Sequence, residues 1–258
     1  MSESRPSPSR RRVLVLWGDG INCESALARA FAQAGAPVEL EHVNDFLRRA
    51  DLGPFGVLAF PGGFSFGDEL RSGRILAEKL RTALGERLAD FHARGGLTLG
   101  ICNGFQVLVR LGIFGADVSL ARNAGPETGP DFIDRWVEVE VSPAARQSPW
   151  LRHGPDRVWM PIRHGEGRLV AESATSAFRQ PALRYRSDPN GSLDRVAGLL
   201  DRSGQVFGLM PHPEAATHAF LHPLGVPEPE ANAAALLGWF DSATRLDGPD
   251  EVSPGGHS

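Results

Sequence analysis

The chain has 258 residues, which is enough for one large domain or two small ones. Hydrophobic residues make up 41% of it and charged residues 22%, ordinary values for a globular protein that exclude wholesale disorder, a collagen-like fibre and a coiled coil. The 27 basic and 31 acidic residues give a net charge of −4, so we expect no nucleic-acid partner and no attraction to an anionic membrane.

The first half of the chain alternates between short apolar runs and helical patterns. The runs predict strands at residues 13–17, 38–43, 57–60 and 97–101, and the helical patterns predict helices at 24–34, 74–84 and 87–93. Because these strands are apolar on both faces and alternate with helices, they indicate a mostly parallel sheet with helices on both faces.

Beyond residue 111 the pattern changes. Short β-like runs occur at residues 136–141, 157–160, 184–185, 196–200 and 206–210, and a last helix is predicted at 231–240. Loops rather than helices separate these runs, which is typical of antiparallel strands. We therefore predict an α/β three-layer sandwich whose mostly parallel central sheet carries a small antiparallel extension.

The two ends of the chain differ from its body in composition. Residues 1–11 are rich in Ser, Pro and Arg and predict a disordered tail, whereas residues 246–258 are rich in Gly and Pro and predict a loose tail. Residues 12–245 contain neither an internal repeat nor a stretch with the composition of a linker. This range is therefore predicted to be a single domain.

The sequence offers no signal for a membrane. No apolar run approaches the ~20 residues that are needed to span a bilayer, and the apolar stretch after Arg10 to Arg12 is too short for a secretory leader. The two cysteines, Cys23 and Cys102, cannot build a disulfide framework. They favour a reducing, cytoplasmic setting.

The strongest chemical motif is Gly100-Ile101-Cys102-Asn103-Gly104, which joins a predicted strand to a helical stretch. Its glycines permit a sharp turn that lifts the thiol above the carboxyl edge of the sheet, as in the nucleophile elbow of hydrolases. The amino terminus of the helix favours the thiolate, which is the attacking form. A free cysteine is more commonly a small buried apolar residue, but this context favours Cys102 as a nucleophile.

A cysteine nucleophile needs a base, and the base needs a group that orients it. Residues 211–214 follow the last predicted strand and contain His212 and Glu214. In an extended segment, positions i and i+2 point to the same side, so the carboxylate can hold one ring nitrogen while the other faces the thiol. His164 and Glu166 have the same spacing, but they lie in a Gly-rich stretch that we interpret as a substrate-contact loop.

Residues 61–68, Pro-Gly-Gly-Phe-Ser-Phe-Gly-Asp, follow the third predicted strand. Two glycines at the end of a parallel strand let the backbone approach a ligand and direct an N–H at it, as an oxyanion hole requires. Taken alone, such a segment is also ordinary turn chemistry. Together with a cysteine elbow at the end of the next strand, it indicates a wall of the active site.

Three weaker patterns are interpreted as structural. Gly18 and Gly20 follow the first strand, but Cys23 stands where a dinucleotide-binding loop has its third glycine. Cys23 is expected to pack under the first helix. His218 and His222 are spaced i, i+4 without an obvious acidic partner, so a solvated loop is favoured and no metal site is predicted.

The motifs at residues 61–63, 100–106 and 212–214 resemble those of the class I, triad-type glutamine amidotransferases. A more specific set of residues is similar to the glutaminase family of phosphoribosylformylglycinamidine synthase. This set comprises residues 22–23, 61–68, 132, 135–137, 164–167 and 189–192. The matched segments span roughly residues 13–216, and the resemblance implies a flavodoxin-like sandwich.

Carried onto this sequence, the resemblance implies three groups of site residues. The catalytic residues would be Cys102 as the nucleophile, His212 as the base and Glu214 as the residue that orients the base. The oxyanion hole would be formed by the backbone N–H groups of Gly63 and Asn103. The residues that contact the substrate would be Gln106, His164 and Glu166.

The implied reaction is hydrolysis of the side-chain amide of L-glutamine through a cysteine thioester, with release of glutamate and ammonia. The ammonia would pass to a large synthetase subunit that uses ATP and Mg²⁺ to convert formylglycinamide ribonucleotide to formylglycinamidine ribonucleotide in purine biosynthesis. This sequence contains no phosphate-binding motif, so no cofactor is expected in this chain. The synthetase and a small accessory subunit would be separate chains.

The sequence departs from the family pattern in three segments. Many relatives have an Asn-x-Ser-Gly-Arg-Phe run where residues 124–131 stand here, Ala215 replaces a usual Arg, and residues 217–230 are extra length. We expect these differences to concern surfaces that face the partner rather than the catalytic residues.

Other functional classes are also compatible with these sequence motifs. One is a free-standing cysteine hydrolase of an ester or small amide, and another is an amidotransferase that serves a different synthetase. A catalytically silent binding or regulatory subunit is disfavoured, because all three triad residues are present.

Overall fold

The computed structural model describes residues 10–18, 20–63, 74–124 and 132–246. In this part of the chain the strands are β1 (Val13–Trp17), β2 (Val38–His42), β3 (Val57–Phe60), β4 (Leu97–Ile101), β5 (Ser119–Arg122), β6 (Ile133–Val141), β7 (Arg157–His164), β8 (Glu166–Val170), β9 (Arg179–Tyr185), β10 (Val196–Asp201) and β11 (Val206–Leu209). The α-helices are α1 (Glu24–Gln33), α2 (Val43–Arg49), α3 (Arg74–Ala93), α4 (Asn103–Arg110) and α5 (Pro229–Thr244).

Nine strands form one mixed sheet in the order β2-β1-β3-β4-β11-β10-β9-β6-β7. The strands from β2 to β11 run parallel to one another, and each later neighbour is antiparallel. All residues of β3 and β4 are buried, because central parallel strands are covered on both faces. The predicted α/β fold with parallel central strands is thereby confirmed.

The antiparallel part is larger than the small extension that the sequence predicts. β10, β9, β6 and β7 continue the central sheet, and β5 pairs with β8 in a separate two-stranded sheet. A turn at Gly165 joins β7 directly to β8, so His164 and Glu166 lie at strand ends rather than in a loop. The loop interpretation was wrong because two glycines interrupt the apolar pattern, although the chain passes from β7 in one sheet to β8 in the other with only Gly165 between them.

One helical segment matches its prediction and one was not predicted. The backbone of α3 is non-helical at Gly85, where φ is 43° and ψ is −125°, so this element consists of two helical segments, as predicted at residues 74–84 and 87–93. α2 was not predicted and begins where the second predicted strand ends; the Nδ1 atom of His42 accepts a hydrogen bond from the backbone of Asn44 there. Among the helices that the structure describes, none is both long and apolar enough to cross a membrane.

Two residues of the predicted amino-terminal tail contact the folded domain. Arg10 forms an ion pair with Asp241 of α5 at 2.7 Å, and Arg11 donates a hydrogen bond to the carbonyl oxygen of Gly95 at 2.7 Å. The ordered chain therefore includes residues 10 and 11. The other tail residues lie outside the described residues, as do 64–68 of the Pro-Gly-Gly segment and 125–131 of the atypical stretch.

Candidate active site

The ends of neighbouring parallel strands bring the predicted catalytic residues together. β4 lies between β3 and β11, and the register places Phe60 beside Gly100 and Leu209 beside Ile101. Cys102 directly follows β4, and His212 lies three residues beyond β11. Ligands of α/β sheets bind at this carboxyl edge, so the topology alone places both side chains in the expected region.

Cys102 occupies a sharp turn between β4 and α4. Its φ of 52° and ψ of −105° lie in a region that residues with side chains rarely adopt. Its backbone N–H donates to the carbonyl oxygen of Leu209 at 2.8 Å, which ties the turn to β11. The residue is 6% exposed, and its Sγ atom lies 3.7 Å from the carbonyl oxygen of Arg163 at the end of β7.

The glycines on either side of this turn are required by close packing. A Cβ atom on Gly104 would lie 2.0 Å from the carbonyl oxygen of Phe60, and one on Gly100 would lie 2.6 Å from the side chain of Leu108. Such distances are far below van der Waals contact, so only glycine lets α4 begin this close to β3 and β4. The position of the thiol is therefore set by the packing of the backbone.

His212 and Glu214 form a buried pair beside the turn. Nδ1 of His212 lies 2.6 Å from Oε1 of Glu214, and the two residues are 3% and 4% exposed. The backbone N–H of His212 donates to the carbonyl oxygen of Pro161 in β7 at 2.9 Å. Glu214 lies in the 3-10 helix Pro213–Ala216, so the pair meets across a turn and not along the extended segment that the sequence suggested.

The surroundings of His212 favour its protonated form. Burial by itself lowers the pKa of His212, but the Glu214 carboxylate and the neighbouring Cys102 and Cys23 thiol groups raise this pKa well above its ordinary value. An imidazolium next to a thiol stabilises the thiolate. His212 is thus suited to take the proton of Cys102 and to keep it during attack.

Cys23 lies at this site and not, as expected, simply under α1. A Cβ atom on Gly62 would lie 2.7 Å from Cε1 of His212 and 3.4 Å from both Cβ of Cys102 and Sγ of Cys23. The side chains of Cys23, Cys102 and His212 therefore surround one glycine. The expectation was wrong because it considered only the helix; β1 pairs with β3, so the loop after β1 reaches the same edge of the sheet. The position of Cys23 shortly after a parallel strand is the signal that identifies it.

Gly63 and Asn103 flank the nucleophile from two segments. Gly63 has a φ of 135° and pairs with Ile21, and a Cβ atom on it would lie 2.6 Å from the carbonyl oxygen of Gly20. Asn103 is the first residue of α4, where backbone N–H groups point towards the helix amino terminus. The oxyanion hole that these two residues are expected to form stays a prediction.

Gln106 connects α4 to the start of β8. Its amide nitrogen donates to the carbonyl oxygen of Glu166 at 2.7 Å, and its amide oxygen accepts from the side chain of Asn103 at 3.0 Å. The Glu166 carboxylate forms an ion pair with Arg110 at 3.2 Å. The structure thus brings Gln106 and Glu166 together, and their contacts with a substrate stay predictions.

His164 is packed beneath the site. It is 2% exposed, its Nδ1 atom lies 3.1 Å from Oδ1 of Asn123, and its carbonyl oxygen accepts from the amide of Asn123 at 2.8 Å. Burial, with a smaller contribution from the charge of His212, lowers the pKa of His164 to about 3. The ring is therefore neutral and is oriented by Asn123, and its predicted contact with the substrate is untested.

Tyr185 is the single tyrosine of the chain, and it is fully buried at the end of β9. Burial raises the pKa of its hydroxyl above the ordinary value, and the nearby Cys102 and Asp188 raise it further. The phenol therefore stays neutral, and it is electrostatically coupled to the nucleophile.

His218 and His222 are half-buried rather than solvated. His218 stacks on Phe220 with ring centroids 5.0 Å apart, and His222 packs against Trp136 at 4.7 Å. The solvated-loop interpretation was wrong because it depends on spacing alone, whereas His222 packs against Trp136 of a distant strand and His218 stacks on a neighbouring ring. In the part of the chain that the structure describes, neither histidine joins a group of metal-ligating side chains; the group found there comprises Cys23, His212 and Glu214.

Comparison with known proteins gives consistent matches. A family model of the CobB/CobQ-like glutamine amidotransferase domain matches residues 10–245. Phosphoribosylformylglycinamidine synthase subunit PurQ of Dehalococcoides mccartyi is 36% identical over 233 residues, which cover 83% of this chain and 89% of that relative. The subunit of the same name from Cereibacter sphaeroides is 40% identical over 211 residues, which cover 80% and 89%.

Solved structures agree with these matches. The structure of PurLQS from Thermotoga maritima includes a chain that is 31% identical with a TM-score of 0.71, and the match covers 89% of this chain and 99% of that chain. A glutamine amidotransferase from the same organism has a TM-score of 0.57 at 18% identity, with coverage of 90% and 96%. The second likeness shows the fold alone.

The fold, the cysteine–histidine–glutamate arrangement and the family match define a glutamine amidotransferase. Within this class, the chain belongs to the family of the PurQ subunits of phosphoribosylformylglycinamidine synthase. The resemblance found in the sequence motifs is confirmed.

Proposed function

We propose that this chain is the glutaminase of phosphoribosylformylglycinamidine synthase. It hydrolyses the side-chain amide of L-glutamine and supplies ammonia for the conversion of formylglycinamide ribonucleotide to formylglycinamidine ribonucleotide in purine biosynthesis. The observation that carries the proposal is the buried pair of His212 and Glu214 beside the strained turn of Cys102, in a chain of the PurQ family.

The first half of the reaction forms a thioester. The Nε2 atom of His212 takes the proton of the Cys102 thiol, and the Glu214 carboxylate stabilises the resulting imidazolium through Nδ1–H. The sulfur attacks the amide carbon of glutamine and a tetrahedral intermediate forms. The backbone N–H groups of Gly63 and Asn103 stabilise the negative charge on its oxygen.

The second half releases the products. The imidazolium of His212 gives its proton to the leaving nitrogen, so the C–N bond breaks and ammonia departs from the Cys102 thioester. Water, deprotonated by the same imidazole, then attacks the thioester carbon. Glutamate leaves and the thiol is regenerated, so no metal or cofactor takes part in either half.

The ammonia is consumed on another chain. The relatives are named as subunits of a synthase, so the partner of this chain is a synthetase subunit. We propose that this large subunit binds ATP and Mg²⁺, and that a small accessory subunit completes the complex. Gln106, His164 and Glu166 are proposed to contact the glutamine in this chain.

An electrophilic glutamine analogue tests the assignment directly. Mass spectrometry should find one label per chain, on the peptide that contains Cys102. The label should be absent from Cys102→Ser and present on Cys102 in Cys23→Ser. Labelling of Cys23, or an unlabelled chain in a complex that still uses glutamine, would contradict the proposed function.

A further inference from the structure

Three metal-ligating side chains meet around Gly62, but the hydrolysis of glutamine uses only two of them. Cys102 is the nucleophile and His212 is the base, whereas Cys23 takes no part in the reaction. Sγ of Cys23 and Cβ of Cys102 each lie 3.4 Å from the position of a Cβ atom on Gly62, and Cε1 of His212 lies 2.7 Å from it. The missing side chain of the glycine thus leaves the space between these groups open.

The imidazole of His212 presents its Nε2 atom to this space. His212 is 3% exposed, and among the described residues its Nε2 has no hydrogen-bond partner. Its other nitrogen, Nδ1, is held by Glu214 at 2.6 Å. Histidines that ligate metals have this arrangement, in which a carboxylate accepts the second N–H and fixes the ring.

The separations are compatible with a shared ion. One ligand atom from each of Cys23, His212 and Glu214 lies within 4.8 Å of the other two. The Sγ atom of Cys102 lies 3.7 Å from the carbonyl oxygen of Arg163 and is outside this group. Its Cβ atom, however, is 3.4 Å from the Cβ position of Gly62, so another staggered setting of the side chain would bring the sulfur, one bond further out, towards the common space.

The geometry points to a binding site for Zn²⁺ formed by Sγ of Cys23, Sγ of Cys102 and Nε2 of His212. Glu214 supports the imidazole from outside the coordination sphere. Zn²⁺ prefers thiolate and imidazole ligands, and three protein ligands leave the fourth tetrahedral position for water. Binding releases to solvent the protons held by the two sulfur atoms and by Nε2 of His212, so that two thiolates and a neutral imidazole face the ion.

Zinc at this site inhibits the enzyme. The ion occupies the sulfur that attacks glutamine and the nitrogen that carries the proton, so neither catalytic step can begin. Removal of the ion by a chelator restores both groups. Mg²⁺ prefers oxygen ligands and is not expected to bind here, so the inhibition distinguishes soft from hard cations.

Cobalt provides a direct probe of the ligands. When Co²⁺ is added to the full chain, we expect thiolate-to-cobalt charge-transfer absorption with the intensity of two thiolates. Cys23→Ser and Cys102→Ser should each lose about half of this intensity and should raise the dissociation constant for Zn²⁺ about tenfold or more. His153→Asn, which changes an exposed histidine, should retain the full absorption.

A measurement on the unaltered chain makes the test independent of folding in the variants. Zn²⁺ should slow the alkylation of Cys23 by iodoacetamide at least about tenfold, and Mg²⁺ should not. A full-intensity cobalt spectrum in Cys23→Ser, or alkylation of Cys23 at the same rate with and without Zn²⁺, would overturn the site. Neither measurement depends on glutaminase activity, so the proposed function can fail while the metal site stands.

Discussion

The parallel and antiparallel parts of the sheet contribute to the active site in different ways. The parallel strands supply side chains at their carboxyl ends, among them Cys102 after β4 and His212 after β11. The antiparallel strand β7 supplies backbone carbonyl groups, with Pro161 accepting from the N–H of His212 and Arg163 lying beside the thiol. The reacting side chains therefore come from the parallel part of the sheet, whereas their positions depend on both parts.

The largest effect should come from the parallel part. Cys102→Ala removes the only group that forms the thioester, so we expect glutaminase activity to fall about 1,000-fold or more, which corresponds to about 4 kcal/mol. The assay is ammonia release from glutamine in the assembled complex. Synthesis from added ammonium salt should continue in this variant. Retained glutamine-dependent synthesis would place the chemistry elsewhere.

A substitution that disturbs the packing of the parallel part should have the next largest effect, on the free energy of unfolding. Gly104→Ala places a methyl group 2.0 Å from the carbonyl oxygen of Phe60, so we expect the free energy of unfolding to fall by about 3 kcal/mol. Urea denaturation measures this change. Gly238→Ala in α5 is the matched control, because a Cβ atom there meets nothing within 4 Å and should stabilise the helix by up to about 1 kcal/mol. Equal stability of the two variants would show that the elbow is not tightly packed.

Glutamate variants in the parallel and antiparallel parts of the sheet should change different kinetic constants. Glu214→Gln removes the charge that supports the imidazolium, so we expect kcat to fall at least about tenfold, or about 1.4 kcal/mol, with little change in KM for glutamine. Glu166→Gln weakens the ion pair with Arg110 and should act mainly on KM. The opposite pattern would reassign the base and its orienting carboxylate to His164 and Glu166, which flank the turn between β7 and β8.

The smallest effect should be a pH dependence of the free energy of unfolding that arises from His164 in the antiparallel part. The lowered pKa of His164, about 3, means that the unfolded chain binds a proton below pH 6.5 when the folded chain does not. The stabilising effect of its neutral state is therefore complete above pH 6.5 and is lost as the pH falls towards the folded-state pKa.

His164→Gln removes this dependence. Between pH 7 and pH 5.5, the unaltered chain should lose about 1 kcal/mol more of its unfolding free energy than the variant does. Urea denaturation at both pH values gives the comparison, and a parallel loss in both proteins would contradict the assignment. His92, whose pKa is also lowered by burial, is retained in both proteins, so its contribution cancels.

The difference between the parallel and antiparallel parts of the sheet also explains how much of the fold could be predicted from the sequence. β3 and β4 are buried on every residue, so they appear as continuous apolar runs, and the motifs at their ends could be located. β9 was recognised only at residues 184–185. Its first residue is Arg179, and a charged residue in the sequence favours a loop. In the structure Arg179 is fully buried and forms an ion pair with Asp117 at 2.7 Å.

Only some of the residues at the site could be predicted from the sequence. Cys102, His212 and Glu214 could be predicted because the chemistry requires those residue types beside recognisable strand ends. The position of Cys23 shortly after β1 points to the same edge of the sheet, but its approach to Gly62 also depends on the pairing of β1 with β3, which the sequence pattern does not specify. The carbonyl groups of Pro161 and Arg163 carry no sequence signal, since every residue has one.

Because Tyr185 is buried, its absorption band is sensitive to the packing around it. No other tyrosine absorbs in this chain, and derivative spectra separate its band from those of the five tryptophans. Burial raises the pKa of its hydroxyl, so the phenol remains protonated and a shift of the band reports a change in its surroundings rather than its ionisation. Loss of packing around β9 can therefore be followed optically in the native chain, without an attached label.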